Sequence, residues 1–377
     1  MRRATIHIDF HEHTRTDSLK FSATVNVSQL DHFTDVIDVR SPSEFVLDHI
    51  PGAINLPVLD DSQRERVGTL YKQTSSFEAK KVGAALVARN IAIHLETALK
   101  DRPKEWQPLI YCWRGGNRSA SLTHVLRQVG WNAHVLDGGY KSFRRHVIAE
   151  LERLPDILQL RVVCGSTGSG KSRLLQEITR LGGQVLDLEE LARHRGSVLG
   201  GLPDHPQPTQ KYFESAIWEV LRRCDPARPV FVEAESKKVG QLRVPEVLIN
   251  RMWRSNCLFV DAPITARVEF LSQEYQHFRG DFSSLSDKLR CLRSLHGSEK
   301  IEGWIELARQ SRWDELIEQL LREHYDPAYR RSMLSHYPSL DTAPNYRAEK
   351  IDETSLRNIA REIINELPVK SLEHAAT

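Results

Sequence analysis

Short apolar runs that end in polar residues or glycine alternate with amphipathic segments along the first half of the chain. The runs at residues 35–40, 108–113 and 132–139 predict buried strands. Residues 121–130 repeat apolar side chains every three or four positions, which predicts a helix with one buried face. Strands that alternate with helices in this way are typical of a mostly parallel sheet.

A second series of the same kind begins after Pro155. Apolar runs at residues 158–165, 184–190, 229–235 and 256–263 predict four more strands, and from about residue 283 the pattern changes to amphipathic helices. We therefore predict an α/β protein with an N-terminal parallel-sheet domain and a second α/β domain. The expected boundaries are a loosely ordered segment at 1–28, the first domain at 29–152, the second domain at 153–282 and an associated helical part at 283–377.

The composition supports folded domains in a reducing compartment. The chain has 377 residues, an apolar fraction of 40% and a formal net charge of +2, a charge that neither requires nor excludes a nucleic-acid partner. Its five cysteines form no CxxC pair, which argues against a thiolate zinc site. Their odd number in a chain of this size argues against a disulfide framework. No apolar run approaches the roughly 18 residues of a membrane span, and the first residues lack a signal-peptide core. We expect a cytoplasmic monomer without a membrane partner.

The strand at 108–113 runs into a loop with the composition of a reactive-cysteine site. Residues 112–119 are Cys-Trp-Arg-Gly-Gly-Asn-Arg-Ser and precede the predicted helix. Backbone amides and the positive end of the helix dipole should lower the pKa of Cys112, and Arg114 and Arg118 add positive charge. The loop is therefore predicted to bind an oxyanion beside a nucleophile. The spacing Cys-x5-Arg fits a cysteine phosphatase as well as a chalcogen carrier.

Upstream residues add a resemblance. Residues 38–45, Asp-Val-Arg-Ser-Pro-Ser-Glu-Phe, and 49–55, His-Ile-Pro-Gly-Ala-Ile-Asn, resemble the signature of rhodanese domains. The cysteine loop is one residue longer than in ordinary rhodaneses and resembles the phosphatases of that fold, which suggests room for a larger group than sulfane sulfur. We expect Asp38 and Arg40 to form an internal ion pair rather than to take part in catalysis.

A complete phosphate-binding loop follows the strand at 158–165. It matches G-x-x-x-x-G-K-[ST] and opens a predicted helix, the context that the motif requires. Its residues are Gly165, Ser166, Thr167, Gly168, Ser169, Gly170, Lys171 and Ser172. Backbone amides can surround a diphosphate, Lys171 can bridge its oxygens, and the Ser172 hydroxyl can hold Mg²⁺. Asp187, Glu233 and Asp261 end strands and are candidate carboxylate helpers; the pattern does not choose among them, and it leaves a ligand other than a nucleotide open.

The order of the two motifs resembles the bacterial tRNA 2-selenouridine synthases, in which a rhodanese-like domain precedes a P-loop domain of the NTPase type. Further similarities lie at residues 67–72, 136–141, 187–189, 194–197 and 325–327. This resemblance implies conversion of wobble 2-thiouridine in tRNA: geranyl diphosphate alkylates the sulfur, and selenium from selenophosphate then replaces it. The implied intermediate carries selenium on Cys112. No tightly bound cofactor is expected.

Two other functions fit the motifs alone. The first is a cysteine phosphatase of rhodanese fold fused to a small-molecule kinase, which would turn over phosphate esters with Cys112 and without selenophosphate. The second is a nucleotide-gated regulatory module with an inert rhodanese domain. The presence of Cys112 with both loop arginines argues against inertness.

Overall fold

The computed structural model describes residues 24–202 and 205–366. The chain divides into two compact units, the first made of Met1–Arg40 with Ile54–Tyr140 and the second of Ser41–Ala53 with Lys141–Thr377. Each unit contains one parallel sheet.

The sheet of the first unit has five strands in the order β1-β5-β4-β2-β3, all parallel. Ile37 and Ile110 sit side by side in β2 and β4, and both are fully buried with Leu122 and Leu126 of the following helix. The strands are β1 (Thr24–Val25), β2 (Val36–Asp38), β3 (Ile54–Asn55), β4 (Leu109–Tyr111) and β5 (His134–Leu136).

Five helices lie between residues 42 and 157. They are α1 (Pro42–Leu47), α2 (Asp61–Gln73), α3 (Ser76–Glu96), α4 (Asn117–Val129) and α5 (Gly139–Ile157), with a 3₁₀ helix at Val27–His32. Helix α2 begins because the Asp60 side chain accepts a hydrogen bond from the Gln63 amide. Helix α4 ends at Gly130, whose φ of 111° is left-handed.

The sheet of the second unit has five parallel strands in the order β12-β11-β6-β8-β7, and β9 and β10 form a separate antiparallel ribbon. The strands are β6 (Gln159–Cys164), β7 (Gln184–Leu186), β8 (Pro229–Glu233), β9 (Lys238–Val239), β10 (Leu242–Arg243), β11 (Asn256–Asp261) and β12 (Asn345–Arg347). The central strand β6 leads into the phosphate-binding loop, so this loop lies at the carboxyl edge of the sheet, where ligands bind in open α/β folds.

Helices cover this sheet and extend beyond it. They are α6 (Lys171–Arg180), α7 (Leu188–Ala192), α8 (Gln210–Arg222), α9 (Glu246–Trp253), α10 (Ile264–Glu274), α11 (His277–Gly280), α12 (Phe282–Arg290), α13 (Arg293–His296), α14 (Ser298–Arg309), α15 (Trp313–Leu320), α16 (Asp326–His336) and α17 (Glu353–Glu366). A π-helical turn at Leu321–Tyr325 joins α15 to α16, and a 3₁₀ helix spans Pro338–Thr342. Leu174 and Ile178 of α6 share a core with Leu356 and Ile363 of α17.

The predicted α/β class, the two parallel sheets and the helical C-terminal part are confirmed. Two details differ from the prediction. Residues 24–28, assigned to a loosely ordered segment, contain β1, which pairs with β5, and the start of a 3₁₀ helix; residues 1–23 lie outside the described residues. The helical C-terminal part also contains β12, which extends the sheet beside β11. Within the described residues, no helix is both long and apolar enough to cross a membrane.

The expected ion pair between Asp38 and Arg40 is confirmed. The Arg40 guanidinium donates to both Asp38 carboxylate oxygens at 2.6–3.0 Å, and the two side chains are 0% and 1% exposed. The guanidinium also lies 4.0 Å from the centre of the Tyr140 ring. Removal of Asp38 would take both buried carboxylate hydrogen bonds away from the Arg40 guanidinium, which is costly.

The Asp38→Ala variant should therefore lose about 3–5 kcal/mol of unfolding free energy. Urea denaturation measures this loss. Asp101→Ala is the matched control, because Asp101 is 88% exposed and lies 4.0 Å from Lys100; its effect should be about 0–1 kcal/mol. Equal effects of the two substitutions would contradict the structural role of the buried pair.

Candidate active sites

The cysteine loop connects β4 to α4. Cys112 follows β4 directly, and Gly116 is the N-cap of α4. The Gly116 amide donates to Cys112 Sγ at 3.3 Å, and Ser119 Oγ lies 3.2 Å from the same sulfur. The sulfur therefore faces the amino end of a helix, where partial positive charge stabilises a thiolate.

These contacts change the ionisation of Cys112. Burial is the largest influence and opposes ionisation, but the hydrogen bonds from the Ser119 hydroxyl and amide and from the Arg114 amide, together with the charge of Arg118, outweigh it. The pKa of Cys112 consequently lies below that of an ordinary cysteine. Of the two loop arginines, Arg118 acts on the sulfur through its charge and Arg114 through its backbone amide.

Alkylation of Cys112 by iodoacetamide should report this ionisation. Only the thiolate reacts, so a lowered pKa moves the midpoint of the rate–pH curve below the value of about 8.5 for a free thiol. Ser119→Ala removes a hydrogen bond to the thiolate and should move the midpoint upward. Peptide mass spectrometry can follow Cys112 with the exposed Cys291 as an internal reference for the reagent. A Cys112 midpoint at or above 8.5 would contradict an activated thiol.

The Cys112 sulfur is less exposed to solvent than the sequence predicts for a reactive thiol. Cys112 is 3% exposed, whereas Trp113 is 39% exposed and Arg114 is exposed. The Trp113 ring lies 5.1 Å from the Tyr140 ring, so it contacts that ring while part of its surface stays exposed. Gly115, at φ 67°, and Gly116 lie in the loop beside the sulfur, where glycine gives the backbone conformational freedom.

A second glycine pair, Gly138 and Gly139, packs against the backbone of the cysteine loop. The Tyr140 amide donates to the Cys112 carbonyl oxygen at 2.8 Å. A Cβ atom on Gly139, whose φ is 56°, would lie 2.3 Å from that oxygen, so only glycine fits. The Gly138-Gly139 pair after β5 is therefore part of the cysteine site, a role that its sequence did not reveal.

The phosphate-binding loop joins β6 to α6. Its glycines at 165, 168 and 170 have φ of 155°, 79° and 85°, and Gly170 is the N-cap of α6. Lys171 Nζ donates to the Gly165 carbonyl at 2.6 Å, and the Gly165 amide donates to the Tyr329 hydroxyl at 2.6 Å. The strand–loop–helix context that the motif requires is present.

Four carboxylates lie near this loop: Asp187, Glu189, Glu233 and Glu235. Ser172 Oγ donates to Glu189 at 2.8 Å, and the Glu189 amide donates to Glu233 at 2.8 Å. Asp187 and Glu235 line the same cleft of about 700 Å³. Asp187 also caps α7 by accepting from the Glu190 amide. Sequence reasoning named Asp187 and Glu233 but missed Glu189 and Glu235 as site residues.

Asp261, the third candidate helper, is placed elsewhere. It ends β11, on the opposite side of β6 from β8, and its carboxylate lies 3.2 Å from Arg347 of β12. Neither Asp261 nor Glu233 is among the residues that line the phosphate cleft, but Glu233 accepts a hydrogen bond from the amide of Glu189, which does line it. The sequence could not separate it from the other two because all three residues end parallel strands.

The carboxylates and Lys171 titrate as a group. Burial raises the pKa of Asp187 to about 6, and burial together with the nearby Glu189 raises the pKa of Glu235 to about 8. Burial also raises the pKa of Glu189 and Glu233. Removal from water lowers the pKa of Lys171, and the carboxylates oppose this shift. A diphosphate entering this cleft therefore needs protons or a cation to offset negative charge.

The residues beside the P-loop are suited to hold a cation that is also bound to the phosphates of a ligand. In the part of the chain that the structure describes, no three His, Cys, Asp or Glu side chains are arranged to hold a metal ion alone. Mg²⁺, however, is usually held by one or two protein oxygens together with substrate phosphates. The Ser172 hydroxyl and the Glu189 carboxylate supply two such oxygens side by side.

Comparison with known proteins identifies the family. The model of the rhodanese-like domain matches residues 24–146, and the model of the tRNA 2-selenouridine synthase AAA domain matches residues 158–294. The tRNA 2-selenouridine synthase of Bdellovibrio bacteriovorus is 32% identical over 360 residues, which cover 84% of this chain and 93% of that protein. The chain belongs to the tRNA 2-selenouridine synthase family.

Other members match to different extents. The tRNA 2-selenouridine synthase of Nitrosomonas europaea is 37% identical over 253 residues, 64% of this chain and 63% of that protein. The protein of the same name from Hydrogenovibrio crunogenus is 31% identical over 342 residues, 84% of this chain and 93% of that protein. The chain thus spans less than two thirds of the Nitrosomonas relative in that match and nearly all of the other two. The resemblance predicted from the two motifs is confirmed at the level of the family.

Proposed function

We propose that this member of the tRNA 2-selenouridine synthase family converts wobble 2-thiouridine in tRNA to 2-selenouridine in two steps, geranylation and selenation. The observation that carries the proposal is the presence in one chain of a thiol with a lowered pKa at the start of α4 and a complete P-loop at the start of α6. One site activates a chalcogen nucleophile, and the other binds a diphosphate.

The first step belongs to the P-loop. The thiocarbonyl sulfur of the base attacks the allylic C1 of geranyl diphosphate, the C1–O bond breaks, and diphosphate leaves with the electron pair. The loop amides and the Lys171 ammonium face this leaving group and stabilise the negative charge that develops on it. Alkylation matters because a thioether sulfur leaves more readily than a thiocarbonyl sulfur.

A Mg²⁺ ion bound with the diphosphate would be held by Ser172 and Glu189, and it would neutralise charge on the phosphate oxygens. The chain's own residues have a separate task. Lys171 must turn from the Gly165 carbonyl, 2.6 Å away, to the diphosphate oxygens. Glu233 holds the Glu189 amide and so positions the carboxylate beside Ser172.

The second step belongs to the cysteine loop. The Cys112 thiolate attacks the selenium of selenophosphate and the selenium–phosphorus bond breaks. Both electrons of that bond stay with phosphorus, which is reduced from P(V) to P(III) and leaves as the oxyanion phosphite. The product is Cys112–S–Se⁻. Arg114, Arg118 and the loop amides hold the departing oxyanion. The selenide then attacks C2 of the base and geranyl thiolate leaves; a thiol reductant supplies the two electrons that cleave the remaining Se–S bond.

The tRNA substrate fits both sites chemically. A wobble base lies in a single-stranded loop, so it can leave its stack and lie against an aromatic or guanidinium plane. The exposed Trp113, adjacent to Cys112, offers such a plane, and the exposed Arg330 and Arg331 can meet backbone phosphates. If the protein contacts several tRNA phosphates, its association constant for tRNA falls steeply as the salt concentration rises.

Nucleoside mass spectrometry tests the proposal. The full chain is incubated with 2-thiouridine tRNA and geranyl diphosphate, and selenophosphate is added afterwards. We expect S-geranyl-2-thiouridine first and 2-selenouridine second. Selenouridine formed without any geranylated intermediate would contradict the first step. Hydrolysis of phosphate esters through Cys112, with no change in the nucleoside, would instead favour the phosphatase interpretation.

A further inference from the structure

An apolar cleft opens from the phosphate cleft in the second unit. Five residues line both cavities and so form the passage between them: Thr167, Ser197, Leu271, Tyr275 and Tyr325. Thr167 belongs to the P-loop itself. A ligand whose phosphates lie on the loop therefore has one exit at this point that leads away from water.

Beyond the passage, the lining is almost entirely hydrocarbon. Leu285, Leu316 and Leu320 are at most 4% exposed, and Phe278 lies beside them. Their side chains can form no hydrogen bond with a ligand, so the cleft favours an apolar tail. Its cavity is much smaller than the phosphate cleft, which suits a slender chain better than a bicyclic base.

The π-helical turn shapes the wall of this cleft. A π turn contains one residue more than an α turn. Tyr325, five positions after Leu320, consequently faces the same cavity as Leu316 and Leu320. Together they make one wall that runs from the apolar end to the passage. Burial away from water raises the pKa of Tyr325, so its hydroxyl stays neutral at the passage.

An ion pair attaches this wall to the P-loop. Arg267 of α10 donates to both carboxylate oxygens of Asp326, at 2.6 and 3.0 Å, immediately after the π turn. Its Nε donates to the Thr167 carbonyl at 2.9 Å. The Arg267 side chain is 7% exposed. The buried Arg267 side chain therefore fixes the distance between the P-loop and the apolar wall.

We propose that this cleft binds the hydrocarbon tail of a prenyl diphosphate whose phosphates lie on the P-loop, and that its apolar end selects the chain length. The proposal rests on the proposed function for the identity of the head group and adds the tail site to it. Residues at the passage hold the allylic carbon next to the loop. Trp313, Leu316 and Ile317 line the cleft but not the phosphate cleft, so they border its apolar part.

Binding measured without tRNA or selenium tests the tail site by itself. Calorimetry compares inorganic diphosphate, geranyl diphosphate and ADP on the full chain. Wild-type protein should bind geranyl diphosphate about tenfold or more tighter than inorganic diphosphate, because buried hydrocarbon stabilises the complex. Geranyl diphosphate that binds no tighter than inorganic diphosphate, or less tightly than ADP, would overturn the proposal.

Two neighbouring substitutions on α10 localise the site. Ser272 is half-buried and lines the cleft. The Ser272→Phe side chain should fill the cleft and weaken the binding of geranyl diphosphate about tenfold, while the affinity for inorganic diphosphate stays unchanged. Gln273 is exposed and outside the cleft, so Gln273→Phe should change neither affinity. If Ser272→Phe folds poorly, Ile317→Ala provides the second test: a longer cleft should shift the preference toward farnesyl diphosphate. An unchanged chain-length preference would overturn the proposal.

These outcomes separate the tail site from the function. Tight, Ser272-dependent binding of geranyl diphosphate without any modification of tRNA would support the tail site and contradict the proposed reaction. Normal geranylation of tRNA by Ser272→Phe protein would contradict the tail site and leave the reaction in place.

Discussion

Cys112→Ser protein should geranylate 2-thiouridine tRNA at the wild-type rate and form 2-selenouridine at least about a thousandfold more slowly. Serine keeps the shape of the loop, but its hydroxyl does not ionise near neutral pH and does not carry selenium. The lowered pKa of Cys112 depends on Ser119, Arg114 and Arg118, and these groups have no thiolate to stabilise in the variant. The expected product is therefore S-geranyl-2-thiouridine that accumulates.

The matched control is Cys291→Ser, which replaces an exposed thiol of the second unit and should leave both rates unchanged. Single-turnover assays on the two nucleosides measure each step. Normal 2-selenouridine formation by Cys112→Ser protein would remove the cysteine from the mechanism. Loss of geranylation in the same variant would contradict the division of the two steps.

Lys171→Ala protein should show the opposite defect. Its ammonium is the cation of the P-loop, and its loss should slow geranylation about 10²–10³-fold, as removal of one group that stabilises transition-state charge typically does. Selenation of tRNA that already carries S-geranyl-2-thiouridine should proceed at the wild-type rate, because no diphosphate leaves in that step. The assay supplies such tRNA prepared with wild-type protein.

Lys100→Ala is the control for this substitution. Lys100 is exposed, and its ammonium lies 4.0 Å from the Asp101 carboxylate. A Lys171→Ala protein that geranylates normally would exclude the P-loop from diphosphate binding. A variant that fails equally in both steps would indicate that one site serves both reactions.

Much of the fold could be predicted from the sequence because the parallel strands are short, buried and separated by helices. The runs that became β2, β4, β6 and β8 each bury most of their side chains, and β11 buries half of its side chains. Strand β12 was missed because Asn345–Arg347 has one buried residue, Tyr346, between two exposed ones. Its place in the sheet depends on pairing with β11, which local patterns do not contain.

The two loops could be located for a similar reason: their backbone conformation requires glycine, and their chemistry requires Cys112 and Lys171. What surrounds them depends on tertiary structure. Glu189 lies on α7, and its contact with Ser172 follows from the fold rather than from spacing. The apolar cleft depends on a π turn that no residue pattern marked. The burial of Cys112 was not expected either, because sequence does not reveal how neighbouring strands cover a loop.

The central claim is that Cys112 carries selenium. Wild-type protein incubated with selenophosphate alone can be digested without reductant and its Cys112 peptide examined by mass spectrometry. The proposed mechanism predicts a peptide heavier by one selenium atom, and no such species on Cys291. A phosphoryl group on Cys112, or an unmodified Cys112 in protein that nevertheless makes 2-selenouridine, would contradict it.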